Sequence, residues 1–310
     1  MAKWTIDDAP DQTSRTVVIT GANSGLGLRS AEALASRGAR VLLACRNPEK
    51  GAAALEAVSL KATDAPPELV TLDLADLESV KDCARQLDAS LDGLDVLINN
   101  AGVMAIPLRR TRQGFEMQFG TNHFGHFALT GLLLATLLRT DRPRVVTVSS
   151  FAHRFGKIRF DDPNWEQGRY SPWPAYGQSK LANLLFSMEL SRRAQDAGSA
   201  LVSAAAHPGY AATNLSSSGP GASGGLMARA TRISDRVFGQ SDSMGALPQI
   251  YAATMPDVQG NDYYGPDGFM EQRGFPKKIG RTRAGADADA ARRLWELSEQ
   301  MTGVTCDFGR

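Results

Sequence analysis

The strongest constraint on the fold is a regular alternation of short apolar segments with amphipathic ones. Runs rich in Val, Leu, Ile and Ala have the length and composition of buried strands, and they occur at residues 16–20, 40–45, 68–74, 95–101, 144–150 and 201–207. Helix-like patterns lie between most of them, including residues 28–38 and 49–61. Because strands this apolar need cover on both faces, the alternation predicts an α/β fold with a doubly wound, mostly parallel sheet and helices on both faces.

The first strand–helix junction carries a glycine-rich turn, TGANSGLG, at residues 20–27. Its glycines permit a tight turn in which main-chain N–H groups approach a pyrophosphate, and the following helix adds its positive end. The spacing differs from GxGxxG and from the Walker pattern, so a glycine turn without a ligand is the alternative. The turn predicts a dinucleotide site in a Rossmann-type domain, with contacts from Gly21, Asn23, Ser24, Gly25, Leu26 and Gly27.

The end of the second predicted strand indicates which dinucleotide binds. An NAD site usually has an acidic residue there for the ribose hydroxyls, but this strand ends in Ala44-Cys45-Arg46. Cys45 would not repel a 2′-phosphate, and the planar guanidinium of Arg46 could bind one. We expect NADP(H) rather than NAD(H); the alternative is that Arg46 is an ordinary surface arginine.

Composition excludes several other classes of protein. Lys and Arg number 34 against 33 Asp and Glu, so no nucleic-acid partner is expected. Three widely spaced cysteines fit a reducing compartment and argue against a disulfide framework. His123 and His126 lack an evident third ligand, and no metal site is predicted. The run at 127–138 is too short to span a bilayer and predicts a buried helix, so we expect a soluble, cytoplasmic protein.

Two irregular segments interrupt the alternation without dividing the chain. Residues 151–175 form an insertion rich in charge, aromatic residues and proline, and residues 214–245 begin as a Gly/Ser-rich stretch that we interpret as a substrate lid. We therefore predict a polar amino-terminal extension, residues 1–15, followed by one NADP-binding domain, residues 16–310.

The segment PWPAYGQSKLANLLF, residues 172–186, sets Tyr176 and Lys180 four positions apart. Pro172 and Pro174 favour irregular structure before Tyr176, whereas the leucines after it recur at helical spacing. Tyr176 and Lys180 are thus expected one turn apart on one helical face. Taken alone, such a pair is more often an exposed surface pair than a catalytic one.

Seven motifs in order resemble those of the classical short-chain dehydrogenase/reductase family. They are TGANSGLG, LDL (72–74), NNAG (99–102), TNHFGHF (121–127), VTVSS (146–150), YGQSK (176–180) and HPGYAATNL (207–215). ACRNPEKG (44–51), SKLANLLF (179–186) and YYGPDGF (263–269) are most similar to the retinol-dehydrogenase-like and protochlorophyllide-reductase-like branch. The resemblance covers residues 16 to 215.

This resemblance implies roles for individual residues. Tyr176 matches the catalytic tyrosine, Lys180 its lysine partner, Ser150 the catalytic serine and Asn122 the asparagine of the proton relay. The implied cofactor contacts are Asp73 and Leu74 near the adenine, Asn99, Ala101 and Gly102 along the cofactor, Tyr176 and Lys180 themselves, and Pro208, Gly209 and Thr213 around the nicotinamide. Ser150 and Tyr176 are 26 positions apart, about twice the usual family spacing, which we attribute to the insertion.

Local explanations remain open for the weaker residues. Ser149 and Ser150 could simply close a strand, Asn122 could bend a helix, and Asp73 could cap the helix that starts near Leu77.

The chemistry of a phenol beside an ammonium agrees with the implied roles. Hydride transfer between a nicotinamide and a carbonyl needs a proton at the substrate oxygen, and a nearby lysine is expected to lower the pKa of Tyr176. We therefore predict an NADP(H)-dependent oxidoreductase acting on a hydrophobic aldehyde, ketone or alcohol. The alternatives are a carbon–carbon double-bond reductase and a non-catalytic NADP-binding regulator; the family also implies a homodimer or homotetramer.

Overall fold

The computed structural model describes residues 3–210 and 240–309. Within them, one eight-stranded sheet has the order β3-β2-β1-β4-β5-β6-β7-β8. Its strands are β1 Thr16–Thr20, β2 Arg40–Cys45, β3 Glu68–Thr71, β4 Val96–Asn99, β5 Arg144–Val148, β6 Val202–Ala206, β7 Tyr263–Pro266 and β8 Pro276–Lys278. Neighbouring strands are parallel except β7 and β8, which are antiparallel.

The helices of the described residues follow the strands in the expected alternation. They are α1 Gly25–Ala35, α2 Pro48–Ser59, α3 Leu77–Ser90, α4 Met117–Phe119, α5 Gly125–Leu132, α6 Leu134–Leu137, α7 Pro172–Asp196, α8 Asp242–Thr254 and α9 Ala288–Thr302. A π-helical segment, Gly120–Phe124, joins α4 to α5. No helix in the described ranges combines the length and hydropathy needed to cross a bilayer.

Alternate residues of the central strands enter two separate cores. Val18 and Leu97 face one core together with residues of α3, α5, α7 and α9, whereas Val17 and Ile98 face the other with residues of α1 and α8. Because successive side chains of a strand point to opposite faces, this division means that the sheet is covered on both sides. The predicted doubly wound fold is confirmed.

The structure corrects several predicted boundaries. Helix α1 begins at Gly25, not residue 28, and the predicted helix at 127–138 is broken at Leu133. Helix α7 begins at Pro172, so the expected irregular structure before Tyr176 was wrong there and the insertion is helical from Pro172 onward. Proline is tolerated in a first helical turn because its missing N–H would have no partner in the helix.

The amino-terminal segment packs against the domain. Trp4 and Ala9 are buried in the α1/α8 core, and the Trp4 indole donates to the Met255 sulfur at 3.2 Å. The buried Gln12 donates to the carbonyls of Pro10 and Asp11. The predicted polar extension is therefore part of the packed structure.

Candidate active site

The glycine-rich turn closes tightly between β1 and α1. Gly21 and Gly25 have positive φ angles of 67° and 54°. A Cβ atom at Gly27 would lie 2.4 Å from the Gly21 carbonyl oxygen and 2.6 Å from Nδ2 of Asn100. Ser24 precedes the first helical residue, and Leu26 is buried beneath the turn. Because only glycines allow this approach and the helix N-terminus points to the same place, the turn fits a dinucleotide pyrophosphate.

A buried polar network supports this turn, and sequence analysis missed it. The Asn100 side chain donates to the Thr20 carbonyl at 2.8 Å, and the N–H groups of Asn100 and Ala101 donate to the Thr20 hydroxyl at 2.9 and 3.0 Å. His126 Nδ1 lies 3.0 Å from the Asn122 carbonyl, and its Nε2 lies 2.8 Å from the Thr20 hydroxyl. Burial lowers the pKa of His126 to about 4, so the ring is neutral; we assign Nδ1 as the donor and Nε2 as the acceptor.

The residues predicted on the adenosine side lie at the ends of β2 and β3. Arg46 is exposed directly after β2, and Cys45 is buried below the turn. Asp73 is half-buried and accepts a hydrogen bond from the Ala75 N–H at 3.0 Å. It does not cap α3, because Asp76 occupies that position and accepts from the Glu78 N–H. Leu74 is buried next to it.

Asn99 ends β4 and Asn100 follows it, and their side chains bind different partners. Asn99 is fully buried and donates to the Thr130 hydroxyl of α5 at 3.0 Å. Its side chain is therefore turned into the core. The residue whose side chain supports the turn is Asn100, which was not predicted.

Tyr176 and Ser150 meet where β5 ends. Tyr176 lies in the second turn of α7 and is 6% exposed. Burial raises the pKa of its phenol to about 12, and a hydrogen bond with the Ser150 hydroxyl acts in the opposite direction. Ser149 instead donates to the Lys180 carbonyl at 2.7 Å, so of the two serines it is Ser150 that faces the tyrosine.

Lys180 lies one turn after Tyr176 with its ammonium group in the interior. Its Nζ is 5.8 Å from the centre of the Tyr176 ring and donates to the Val148 carbonyl at 3.1 Å. Burial lowers the pKa of Lys180 to about 8. The pKa of Tyr176 is therefore raised by burial and not lowered as expected, so the phenol is neutral at pH 7, whereas Lys180 still carries its proton there.

Asn122 lies in the π-helical segment and is fully buried. Its side chain accepts from the Val103 N–H at 2.8 Å and donates to the Val103 carbonyl and the Ser179 hydroxyl, each at 2.9 Å. A Cβ atom on Gly102 would lie 3.1 Å from Asn122 Oδ1 and 3.5 Å from Lys180 Nζ. Gly102 therefore keeps the space between the asparagine and the ammonium free of side chain.

The loop after β6 faces the same edge of the sheet. Gly209 has a positive φ of 67°, and its N–H donates to His207 Nδ1 at 3.2 Å. The Pro208 carbonyl accepts from Gln240 at 2.5 Å. Thr213 and residues 214–239 of the predicted lid lie outside the described residues.

Comparison with known proteins gives the family. A sequence model described as short chain dehydrogenase matches residues 15–220. This chain is 40% identical over 300 residues to human retinol dehydrogenase 13, covering 94% of this chain and 85% of that protein. The chain belongs to the short-chain dehydrogenase family. It is an oxidoreductase acting on CH–OH and C=O groups, and the predicted retinol-dehydrogenase-like branch is confirmed.

Solved structures agree with this dehydrogenase fold. A crystal structure of an uncharacterised protein from Mycobacterium paratuberculosis is 45% identical, has a TM-score of 0.82, and the match covers 99% of this chain and all of that one. A proposed NAD(P)-dependent gluconate 5-dehydrogenase from Beutenbergia cavernae, solved with NADP at low occupancy, is 26% identical with a TM-score of 0.60; 79% of this chain and 91% of that one are covered.

The insertion of this dehydrogenase brings aromatic side chains to the tyrosine. Trp173 is 47% exposed, and its ring centre lies 6.1 Å from that of Tyr176. Phe155 is also exposed, whereas Trp165 is buried under Arg159, whose guanidinium carbon lies 4.3 Å from the ring centre. Only some of the aromatic side chains of the insertion are therefore accessible to a substrate.

A separate cavity of about 640 Å³ opens at the amino-terminal edge of the sheet. Its arginines are held by neighbouring groups: Arg15 faces Asp95, Arg40 pairs with Glu68, and Arg139 pairs with Asp88. Ligands of open α/β sheets bind at the carboxyl ends of the strands, which is where Ser150 and the glycine turn of the dehydrogenase lie. This cavity is thus not the active site.

Proposed function

We propose that this dehydrogenase transfers hydride between NADP(H) and a hydrophobic aldehyde, ketone or alcohol, with Tyr176 as the acid–base residue. The observation that carries the proposal is the position of the Ser150 side chain beside the buried Tyr176 phenol, with Lys180 one helical turn away. A chain that only bound the dinucleotide would have no need of a serine hydroxyl beside this phenol, where a substrate oxygen would lie.

The roles of the side chains follow from their protonation. A bound nicotinamide supplies or accepts the hydride. Tyr176, protonated at neutral pH because burial raises its pKa to about 12, is suited to donate a proton to a carbonyl oxygen during reduction. Ser150 would hydrogen-bond the same oxygen and hold it near the phenol. Lys180, with a pKa of about 8, can then return a proton from the direction of Asn122 and Gly102.

The preference for NADP is supported at the end of β2. Cys45 offers no negative charge there, and Arg46 is exposed and available for a 2′-phosphate. NADP bound to the Beutenbergia cavernae protein is consistent with this choice.

An apolar substrate is supported by the exposed Trp173 and Phe155 and by the relative named retinol dehydrogenase 13, whose named substrate is an apolar alcohol. We also propose that the protein is located in the cytoplasm, because its three cysteines are free thiols. A homodimer or homotetramer is likewise a proposal, based on the family.

The test is reduction of a panel of carbonyls with NADPH, from medium-chain and aromatic aldehydes to retinal and small polyol-derived ketones, with Tyr176→Phe alongside. We expect apolar carbonyls to be reduced to alcohols and Tyr176→Phe to lose roughly 10²–10⁴-fold in kcat while still binding NADPH. Undiminished turnover by Tyr176→Phe would remove the acid–base assignment. Products saturated at a carbon–carbon bond would favour the double-bond reductase instead.

A further inference from the structure

One turn before Asn122, the chain carries a second buried amide, Gln118. Its Oε1 accepts from the Ala105 N–H at 2.7 Å. Its Nε2 donates to the Tyr170 hydroxyl at 2.8 Å and to the Pro172 carbonyl at 2.9 Å. Gln118 is fully buried, so every partner is within the protein. One side chain thus joins the loop after Gly102, the insertion and the first residue of α7.

Gln118 and Asn122 act on the same two segments from adjacent turns. Gln118 connects Ala105 to Pro172, and Asn122 connects Val103 to Ser179. The two attachment points on α7 lie on either side of Tyr176. Hydrogen bonds to α7 before and after Tyr176 therefore fix the position of the phenol relative to the loop.

The loop needs this support because Ala105 has a φ of 49°. A non-glycine residue in the left-handed region is unfavourable and persists where its surroundings hold it. The bond from the Ala105 N–H to Gln118 is such a constraint, and Ala105 is itself buried.

Glu116 and Tyr170 fix the orientation of the Gln118 amide. The Tyr170 hydroxyl lies 3.0 Å from Glu116 Oε1 and 3.0 Å from the Ile106 carbonyl oxygen, and it donates its proton to one of these acceptors while accepting from Gln118. Glu116 also accepts from the N–H groups of Gln118 and Phe119 at 3.0 and 2.7 Å. With the hydroxyl proton directed to either acceptor, the amide nitrogen of Gln118 must face Tyr170 and its oxygen must face Ala105.

We propose that Gln118, oriented by Tyr170 and Glu116, is a positioning residue for the reaction: it holds the first turn of α7 against the loop after Gly102 and so sets where the Tyr176 hydroxyl lies. This inference rests on the proposed role of Tyr176. If it holds, residues of the insertion contribute to the geometry of the active site.

The experiment compares Gln118→Met, which keeps the length of the side chain and removes its hydrogen bonds, with Tyr170→Phe, which removes one hydroxyl. Gln12→Met is the matched control, because Gln12 is 1% exposed and makes three hydrogen bonds on the opposite side of the domain. For each variant, NADPH-binding sites are titrated by fluorescence, and kcat per site is measured with decanal or the carbonyl that the wild type reduces fastest.

We expect Gln118→Met to lose at least tenfold in kcat per site, with a dissociation constant for NADPH within about threefold of the wild-type value, because small displacements of a reacting group can lower rates about 10²-fold. The deuterium isotope effect with 4-deuterated NADPH should not fall. Tyr170→Phe should show a smaller loss, and Gln12→Met none.

If Gln118 has only a structural role, Gln118→Met will have fewer NADPH-binding sites than the wild type but the same kcat per site. That result would overturn the inference. If Gln118→Met does not fold, the same criterion applies to Tyr170→Phe. Failure of the two proposals can be distinguished. If the Tyr176→Phe variant remains active, the proposed function is wrong. If the Tyr176→Phe variant is inactive but Gln118→Met keeps the wild-type kcat per site, only the present inference is wrong.

Discussion

Lys180 brings a charged group into the interior at the site where chemistry is proposed. The residue is 4% exposed, and among the residues that the structure describes its ammonium has one hydrogen-bond partner, the Val148 carbonyl. Burial of a charge with so little compensation disfavours folding unless the group loses its proton. The lowered pKa of about 8 expresses this penalty.

Lys180→Met should therefore stabilise the cofactor-free protein at pH 7 while abolishing efficient turnover. The folded-state pKa of about 8 lies below the unfolded value, so the unfolded state binds more protons between about pH 8 and 10.4, and wild-type stability rises with pH there. Below pH 8 the whole penalty applies. Its upper bound is ~3 kcal/mol, and we expect a gain of ~1–3 kcal/mol that disappears by about pH 10.5.

The measurement is urea unfolding of wild type and Lys180→Met from pH 7 to 10. Lys81→Met is the control, since Lys81 is partly exposed and paired with Glu78. Parallel stability curves for wild type and Lys180→Met across this range would mean that Lys180 is not a desolvated cation.

Arg46→Ala is expected to weaken NADPH binding by about tenfold and to leave NADH binding nearly unchanged. The reason is that an exposed guanidinium contributes a charge-assisted hydrogen bond only to the 2′-phosphate, and the bond is partly screened by solvent. Isothermal titration with both dinucleotides measures this, with Arg85→Ala, an exposed arginine paired with Asp82, as the control. Equal losses for NADPH and NADH would contradict the assignment of Arg46 to the phosphate.

At the scale of elements, Gly27→Ala tests the turn between β1 and α1. Replacing a helical glycine with alanine normally favours a helix by about 1 kcal/mol. Here the added Cβ would lie 2.4 Å from the Gly21 carbonyl oxygen, so we expect a lower melting temperature and at least a tenfold weaker affinity for NADPH.

Gly280→Ala is the matched control, because a Cβ atom there meets nothing within 4 Å. It should leave the melting temperature and the NADPH affinity close to wild type. Normal NADPH affinity in Gly27→Ala would show that the dinucleotide does not approach the chain at this turn.

The elements that could be predicted from the sequence are those whose conformation depends on residues close together in the chain. The central strands were found because buried parallel strands are continuous apolar runs, and the glycine turn was found because its conformation needs glycine. The start of α7 at Pro172 was missed, since proline is compatible with a first turn as well as with a loop. The π-helical segment around Asn122 was missed because it depends on partners distant in sequence, such as Val103 and Ser179.

Across the whole molecule, the proposed site is assembled at the carboxyl edge of the sheet from segments far apart in the chain. Resemblance to a family gave the residues of the proposed site, and their roles stay predictions; in the structure Ser150 lies beside Tyr176 despite their separation in the chain. The resemblance did not predict the strand order or the supporting contacts from Thr20, Gln118 and His126, because these result from the packing of β1, β4, α4 and α5 as a unit.

The alkylation rates of the three free cysteines can be used to measure opening of the structure around each of them. Burial raises the pKa of Cys45 to about 11 and those of Cys83 and Cys306 to about 12. At pH 8 the thiolate fraction of Cys45 is then about one in a thousand, so alkylation should require local or global opening. Cys45 lies beneath the glycine turn, within reach of the Ala22 and Asn23 N–H groups, whereas Cys306 lies beside Gly131 on α5.

NADPH at 100 times its dissociation constant should therefore slow alkylation of Cys45 by at least tenfold, because a ligand bound to the closed turn suppresses its opening by mass action. Cys306 should be slowed less, since opening of its surroundings does not require the turn to open. Time-resolved mass spectrometry of iodoacetamide-labelled peptides measures the sites in one sample. Equal slowing at Cys45 and Cys306 would mean that thiols react only on global unfolding, and unchanged labelling of Cys45 would mean that the dinucleotide binds elsewhere.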